Sequence, residues 1–119
     1  GAALGAIPQC VAYVAAKHGV IGLTKSLAID WGHYNIRVNC VSPGLTFTEL
    51  AKASARKNPE AQKQRLLRIP IGRGAQPEDV ARAILFLGSD DADAISGIVV
   101  PVDGGNWALH SGYTAPRDN

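Results

Sequence analysis

The order of the periodic segments constrains this chain more than any single residue does. A long helical pattern comes first, then a short β-branched run, an irregular stretch, a second helical pattern and a second β-branched run. Residues 1–9 are small and punctuated by Gly1, Gly5 and Pro8, which predicts a loop feeding a helix over 11–31. Along that helix Val20, Leu23, Leu27 and Trp31 follow 3-4-4 steps on one face. Ala12, Ala15, Ala16, Gly19 and Gly22 keep another face thin enough for close approach of a neighbouring helix, and Gly32 offers a left-handed stop. "IRVNCVS" then has the composition of a strand that Pro43-Gly44 ends, and "SGIVVPVDGG" reads as a last strand closed by a Gly-Gly turn. Pro101 has no N–H to give a ladder, so this strand is expected at or near a sheet edge.

Between the strands, "PEDVARAILFLG" carries its own helix signals. Pro77 suits the first helical position, Glu78 and Asp79 suit the positive end of the dipole, and Val80, Ile84 and Leu87 form the expected buried stripe before Gly88. Residues 45–76 are interrupted by Asn58-Pro59, Pro70, Gly72 and Gly74, which predicts two short helices in a long excursion of the kind that forms lids or binding loops. Helix, strand, excursion, helix, strand is the order of an α/β protein with a parallel sheet. Two parallel strands alone would leave edges unpaired and apolar faces uncovered. The fold class is therefore read as the last two strands, with their helices, of a Rossmann-like doubly wound sheet.

Bulk properties narrow the function classes. Of the 119 residues 46% are apolar and 18% charged, which suits one globular unit with a modest core. No apolar run reaches the ~18 residues of a membrane span and no signal peptide is visible, so a cytoplasmic protein without a membrane partner is expected. The formal charge of +2 argues against nucleic acid as a partner. Cys10 and Cys40 are isolated from each other and from histidines, so no metal site is expected and buried free thiols are. Lys52, Arg56, Lys57, Lys63, Arg65 and Arg68 crowd half of the basic residues into seventeen positions, either as a solvated helix face or as a lid that favours anions. Gly1 begins the chain and methionine is absent, so the sequence is read as part of something longer.

"YVAAK" at the head of the long helix sets Tyr13 and Lys17 four places apart, on one helix face. They are either a reactive pair or two amphipathic side chains that happen to be neighbours. A tyrosine ordinarily titrates near ~10 and shuttles protons poorly at neutral pH, and a nearby cation favours its phenolate, which gives the spacing a chemical use. "YVAAK", "RVNCVSPGLTFT", "PEDVARAILFLGSD" and "SGIVVPVDGG", in that order, resemble the C-terminal half of the short-chain dehydrogenase/reductase family over residues 1–105.

The resemblance implies an NAD- or NADP-dependent oxidoreductase interconverting an alcohol and a ketone or aldehyde. Tyr13 would be the general acid/base, and Lys17 would favour the ionised tyrosine and hold the nicotinamide ribose. Pro43 and Gly44 would border the cofactor, Thr46 would contact the nicotinamide carboxamide through its backbone, and Thr48 would serve the carboxamide or pyrophosphate. By the same resemblance residues 45–76 form the substrate lid, residues 106–119 a tail, and the long helix a contact in a homodimer or homotetramer. Pro43-Gly44 also reads as a plain strand-ending turn. The family's catalytic serine would fall one residue ahead of Gly1, and its glycine-rich loop and catalytic asparagine also belong upstream. The 119 residues alone are therefore expected to be inactive. The alternative is a truncated, non-catalytic piece acting only in structure or interaction. Substrate, reaction direction and the choice between NAD and NADP are not set by these residues.

Overall fold

The computed structural model describes residues 4–109. Its first regular element, α1 (Val11–Gly32), covers the expected span. Apolar residues lie all round this helix, the pattern of an element with more than one packed face. Within the described residues it packs on β1 (Cys40–Pro43), and Thr24 is its one buried residue, with a hydroxyl that donates back to the Val20 carbonyl at 2.8 Å. Leu27 is half-buried, while Val20, Leu23 and Trp31 of the expected stripe remain exposed.

The helix does not stop on a left-handed Gly32. Gly32 is its last helical residue, and the left-handed position is Asn35 at φ 61°, whose N–H donates to the Gly32 carbonyl at 2.9 Å while Ile36 N–H reaches Trp31 at 3.3 Å. Asparagine tolerates this conformation better than other residues with a Cβ, because its short polar side chain can bond locally.

The strand begins later than expected, at Cys40. It pairs in parallel with β2 (Val99–Val102), Cys40 opposite Val99 and Pro43 opposite Val102, in a two-stranded sheet. The ladder cannot run further back because Gly97 turns left-handed at φ 79°. Residues 38 and 39 are held by one backbone bond, from Gly97 N–H to the Val38 carbonyl at 2.7 Å, together with side chains. Val38 N–H donates to Ser96 Oγ at 3.1 Å, Asn39 Nδ2 donates to the Ile95 carbonyl at 2.8 Å, and Asn39 Oδ1 accepts from Ile98 N–H at 3.3 Å. Pro101 stands in β2 opposite Ser42, and each strand of this pair has an open side, as an edge proline requires.

The excursion holds the two expected helices, α2 (Glu49–Lys57) and α3 (Pro59–Leu67), broken at Asn58. Thr48 caps α2 by accepting from Ala51 N–H at 3.2 Å, and Asn58 caps α3 by accepting from Ala61 N–H at 3.1 Å. A parallel bridge between Thr46 and Ala75 clamps the neck: Phe47 N–H donates to Ala75 at 2.9 Å and Ala75 N–H to Leu45 at 2.8 Å.

The second main helix, α4 (Pro77–Gly88), starts as expected, with Asp79 Oδ2 accepting from Gln76 N–H at 2.9 Å. The same carboxylate meets Arg73 at 2.7 Å and Arg82 at 3.3 Å, and the Arg73 hydrogen bond foremost holds its pKa below the usual carboxylate range. At the other end the Arg37 guanidinium donates to the carbonyls of Leu87 at 2.6 Å and Ser89 at 3.1 Å, closing the negative end of the dipole. Of the expected stripe Leu87 is buried and Val80 half-buried, but Ile84 is 56% exposed beside a groove that runs along Val41, on the open side of β1.

The core is small: among the described residues Ile69, Ala75, Leu87 and Ala92 are the buried apolar ones. Val11, Ile29, Leu50 and Leu85 stay largely exposed. So much uncovered apolar surface is unusual for a complete monomeric domain and matches a partial α/β Rossmann fold whose sheet continues beyond these two strands. Cys10 and Cys40 are free and half-buried, less enclosed than expected.

Candidate active site

Tyr13 lies in the first turn of α1, 53% exposed, and one helical turn brings Lys17 back over it. The Lys17 ammonium sits 5.4 Å from the centre of the Tyr13 ring, within the range of a cation–π contact. Among the described residues neither the phenol nor the ammonium has a hydrogen-bond or ion-pair partner, so both polar ends remain open to a ligand. His18, next along the helix, is engaged elsewhere, its Nδ1 2.9 Å from the Val14 carbonyl.

The remaining candidate residues sit on the connection from β1 to α2. Pro43 closes the strand, and Gly44 N–H extends the ladder by donating to the Val102 carbonyl at 3.0 Å. Gly44 is required there by packing. A Cβ on it would stand 2.6 Å from the Asp103 Cβ and 2.8 Å from its Cα. Thr46 is half-buried, its hydroxyl donating to the Gly44 carbonyl at 3.2 Å and its own carbonyl accepting from Thr48 N–H at 2.9 Å. Thr48 is exposed and its oxygen is used in the α2 cap. These four residues thus share one loop at the carboxyl end of the parallel strand, the side on which open α/β sheets bind ligands. Neither Tyr13 nor Lys17 bonds to any of them.

The loop and the N-terminal segment meet at a cleft of about 520 Å³, within the size range of small-molecule sites. Ile7, Leu45, Ile69 and Trp107 supply apolar wall, and Arg65 and Arg68 reach it from the end of α3; Tyr13 does not line it. Trp107 escaped the sequence reading. Its position is set by Asp103, whose carboxylate accepts from Gly105 N–H at 3.0 Å and Trp107 N–H at 2.7 Å, across a turn in which Gly104 and Gly105 both have positive φ. The Asp-Gly-Gly run was the available signal, since aspartate caps such turns with its own side chain. Residues 110–119 of the expected tail lie outside the described residues; Asn106–Ala108 form a short 3₁₀ turn.

The family described as enoyl-(acyl carrier protein) reductase matches residues 1–106. The 2-(S)-hydroxypropyl-CoM dehydrogenase 3 of Xanthobacter autotrophicus is 41% identical over 111 residues, which cover 91% of this chain and 44% of that protein. This chain belongs to the short-chain dehydrogenase/reductase family. Among solved members, a suggested 2-deoxy-d-gluconate 3-dehydrogenase from Agrobacterium tumefaciens with bound NADP shares 45% identity and a TM-score of 0.77, over 82% of this chain and 39% of the other. A 4-hydroxyisoleucine dehydrogenase mutant complexed with NADH and succinate shares 38% identity and a TM-score of 0.85, over 91% of this chain and 44% of the other. Both nicotinamide cofactors therefore occur among its relatives. The chain spans about two-fifths of the length of the relatives it matches. Among the described residues no helix is long and apolar enough to cross a membrane, and no three His, Cys, Asp or Glu side chains gather as a metal site.

Proposed function

We propose that the protein carrying this chain is an NAD(P)-dependent oxidoreductase that interconverts an alcohol and a ketone or aldehyde, with Tyr13 as general acid/base. The observation that carries this reading is the Lys17 ammonium over the Tyr13 ring, with both polar groups unengaged. When bound, the reduced nicotinamide supplies a hydride to the carbonyl carbon. Tyr13 gives its phenolic proton to the oxygen, and in the reverse direction takes it back from the alcohol. The phenolate left after donation is reprotonated from solvent before the next turnover.

Lys17 has a second use in this reading, donating to the nicotinamide ribose hydroxyls. The β1–α2 loop fits a nicotinamide nucleotide in its chemistry. Gly44 lets the end of the strand lie against Asp103, and backbone groups of the Thr46–Thr48 segment lead into the start of α2, where N–H groups lack helical partners. Pro43, Gly44, Thr46 and Thr48 would hold the carboxamide and pyrophosphate side of either cofactor. Residues 45–76 act as the substrate lid of the C-terminal part of one Rossmann-like domain, here residues 1–105. The protein is read as cytoplasmic. The thin face of α1 is read as a contact of a homodimer or homotetramer, because nothing lies within 4 Å of a Cβ placed on Gly19 or Gly22.

The test is Tyr13→Phe in the intact natural polypeptide, following nicotinamide absorbance during carbonyl reduction. We expect kcat to fall by about 10²–10⁴ with cofactor affinity retained, the range of a lost general acid. Undiminished turnover by the variant would remove Tyr13 from the chemistry.

A further inference from the structure

The reactive end of the site leaves the role of the lid's arginines open. Arg65 lies in the last turn of α3 and Arg68 follows the helix as its C-cap, so the two fall at i and i+3 on one side and both line the 520 Å³ cleft. Of the basic residues of the excursion, these two line the cleft, and several other cations of the chain are already paired. Lys52 pairs with Glu49 at 2.8 Å, while Arg73 and Arg82 share Asp79. Arg65 and Arg68 have no ion-pair or side-chain hydrogen-bond partner among the described residues, and no acidic side chain lines the cleft with them. A solvated face would scatter its charges outward. Here two guanidiniums, each offering a planar fork of donors suited to carboxylate or phosphate, border one space whose wall is partly apolar.

The cleft is lined as well by Gly5–Ile7, which leads into the helix that carries Tyr13, and by Leu45, which stands between Gly44 and Thr46. The end of α3 borders it too, and Ile69, 2% exposed, and Trp107 add apolar wall. We infer that the substrate carries an anionic group at the end of a short apolar stem, with its carbonyl or carbinol carbon at the Tyr13 side and the anion held by Arg65 and Arg68. The inference rests on the oxidoreductase reading and adds to it a substrate class, small oxo or hydroxy anions. Arg65 and Arg68 are then residues that determine specificity and take no part in the proton or hydride step.

Two readouts test it on the intact natural polypeptide: calorimetric binding in the presence of cofactor, and kcat/KM for reduction. The probes are levulinate, its uncharged isostere 4-oxopentanamide, and 2-oxopropylphosphonate. The first and third separate a carboxylate from a phosphonate as the preferred anion. We expect an anion to bind and react at least about tenfold better than the amide, as charge-assisted hydrogen bonds allow. In Arg65→Gln/Arg68→Gln that preference should collapse through KM while the amide is unaffected; both side chains are exposed, so the double variant is expected to fold.

Equal handling of anions and amide, or a preference that survives the double variant, would overturn the inference while leaving the oxidoreductase reading intact. Anion-selective binding with no reduction of any probe would overturn the substrate assignment together with that reading. Reduction of the amide alone would overturn only the anion site.

Discussion

Gly44→Ala is the substitution on which the architecture of the site bears most directly. The added methyl would stand 2.6 Å from the Asp103 Cβ and 2.8 Å from its Cα. Carbon atoms pack at about 3.5–4.0 Å, so one side must yield by about 1 Å. Neither side is a flexible tip. Gly44 is tied to Val102 by a 3.0 Å backbone bond, and the Asp103 carboxylate is tied to the N–H groups of Gly105 and Trp107.

The cost of such overpacking is about 2 kcal/mol, and no backbone strain adds to it because Gly44 is not among the positive-φ residues. In urea, with a slope of about 2 kcal/mol per molar, the midpoint of the intact natural protein should fall by about 1 M. The proposed nicotinamide loop begins at this residue, so cofactor affinity should fall with it. An unchanged midpoint would show that the ends of the two strands do not approach as closely as the geometry requires, and would remove the packing reason for glycine here.

Gly19→Ala has the opposite expectation for the protomer, since no atom lies within 4 Å of the new Cβ and alanine favours a helix interior by about 0.5–1 kcal/mol. If the thin face of α1 is a subunit contact the same change should lower the assembled mass in sedimentation, and unchanged association would take that face out of the interface. Arg37→Gln strips the guanidinium from the Leu87 and Ser89 carbonyls and should cost about 2 kcal/mol in urea unfolding, with little effect expected on a cofactor site at the other end of the strand. For Asp79 the Arg73 hydrogen bond places the folded pKa below the unfolded one. Its contribution to stability is therefore complete above about pH 4 and is lost as pH falls through the folded value, so stability curves of Asp79→Asn and the native protein should differ at neutral pH and converge in acid.

Much of this was legible because local chemistry and tertiary packing agree. α4 could be bounded from Pro77, the Glu-Asp pair and Gly88, and α3 from Asn58-Pro59, since caps and proline act within a single turn. The parallel relation of the two strands followed from the helix between them. Tyr13 and Lys17 were placed on one face by helical spacing alone. Where two signals competed the sequence misled. Gly32 had the better propensity for a left-handed stop, yet the chain continues to Asn35 before it reverses. Ile84 fitted the apolar period of α4, yet faces an open groove because burial depends on what lies across the sheet.

By itself the sequence determined the element order, the starts of α3 and α4 and the Tyr13/Lys17 pair, all of which depend on neighbours within a few residues. The tertiary structure decided what depends on residues far apart in the chain. Arg37 closes a helix through a carbonyl fifty positions later, Thr46 and Ala75 clamp the 45–76 excursion at its neck, and Asp103 requires the glycine at 44. The cleft belongs to this second group. Ile7, Leu45, Arg65 and Trp107 share it only because the parallel crossover returns the chain to the carboxyl end of the same sheet, which no local pattern encodes.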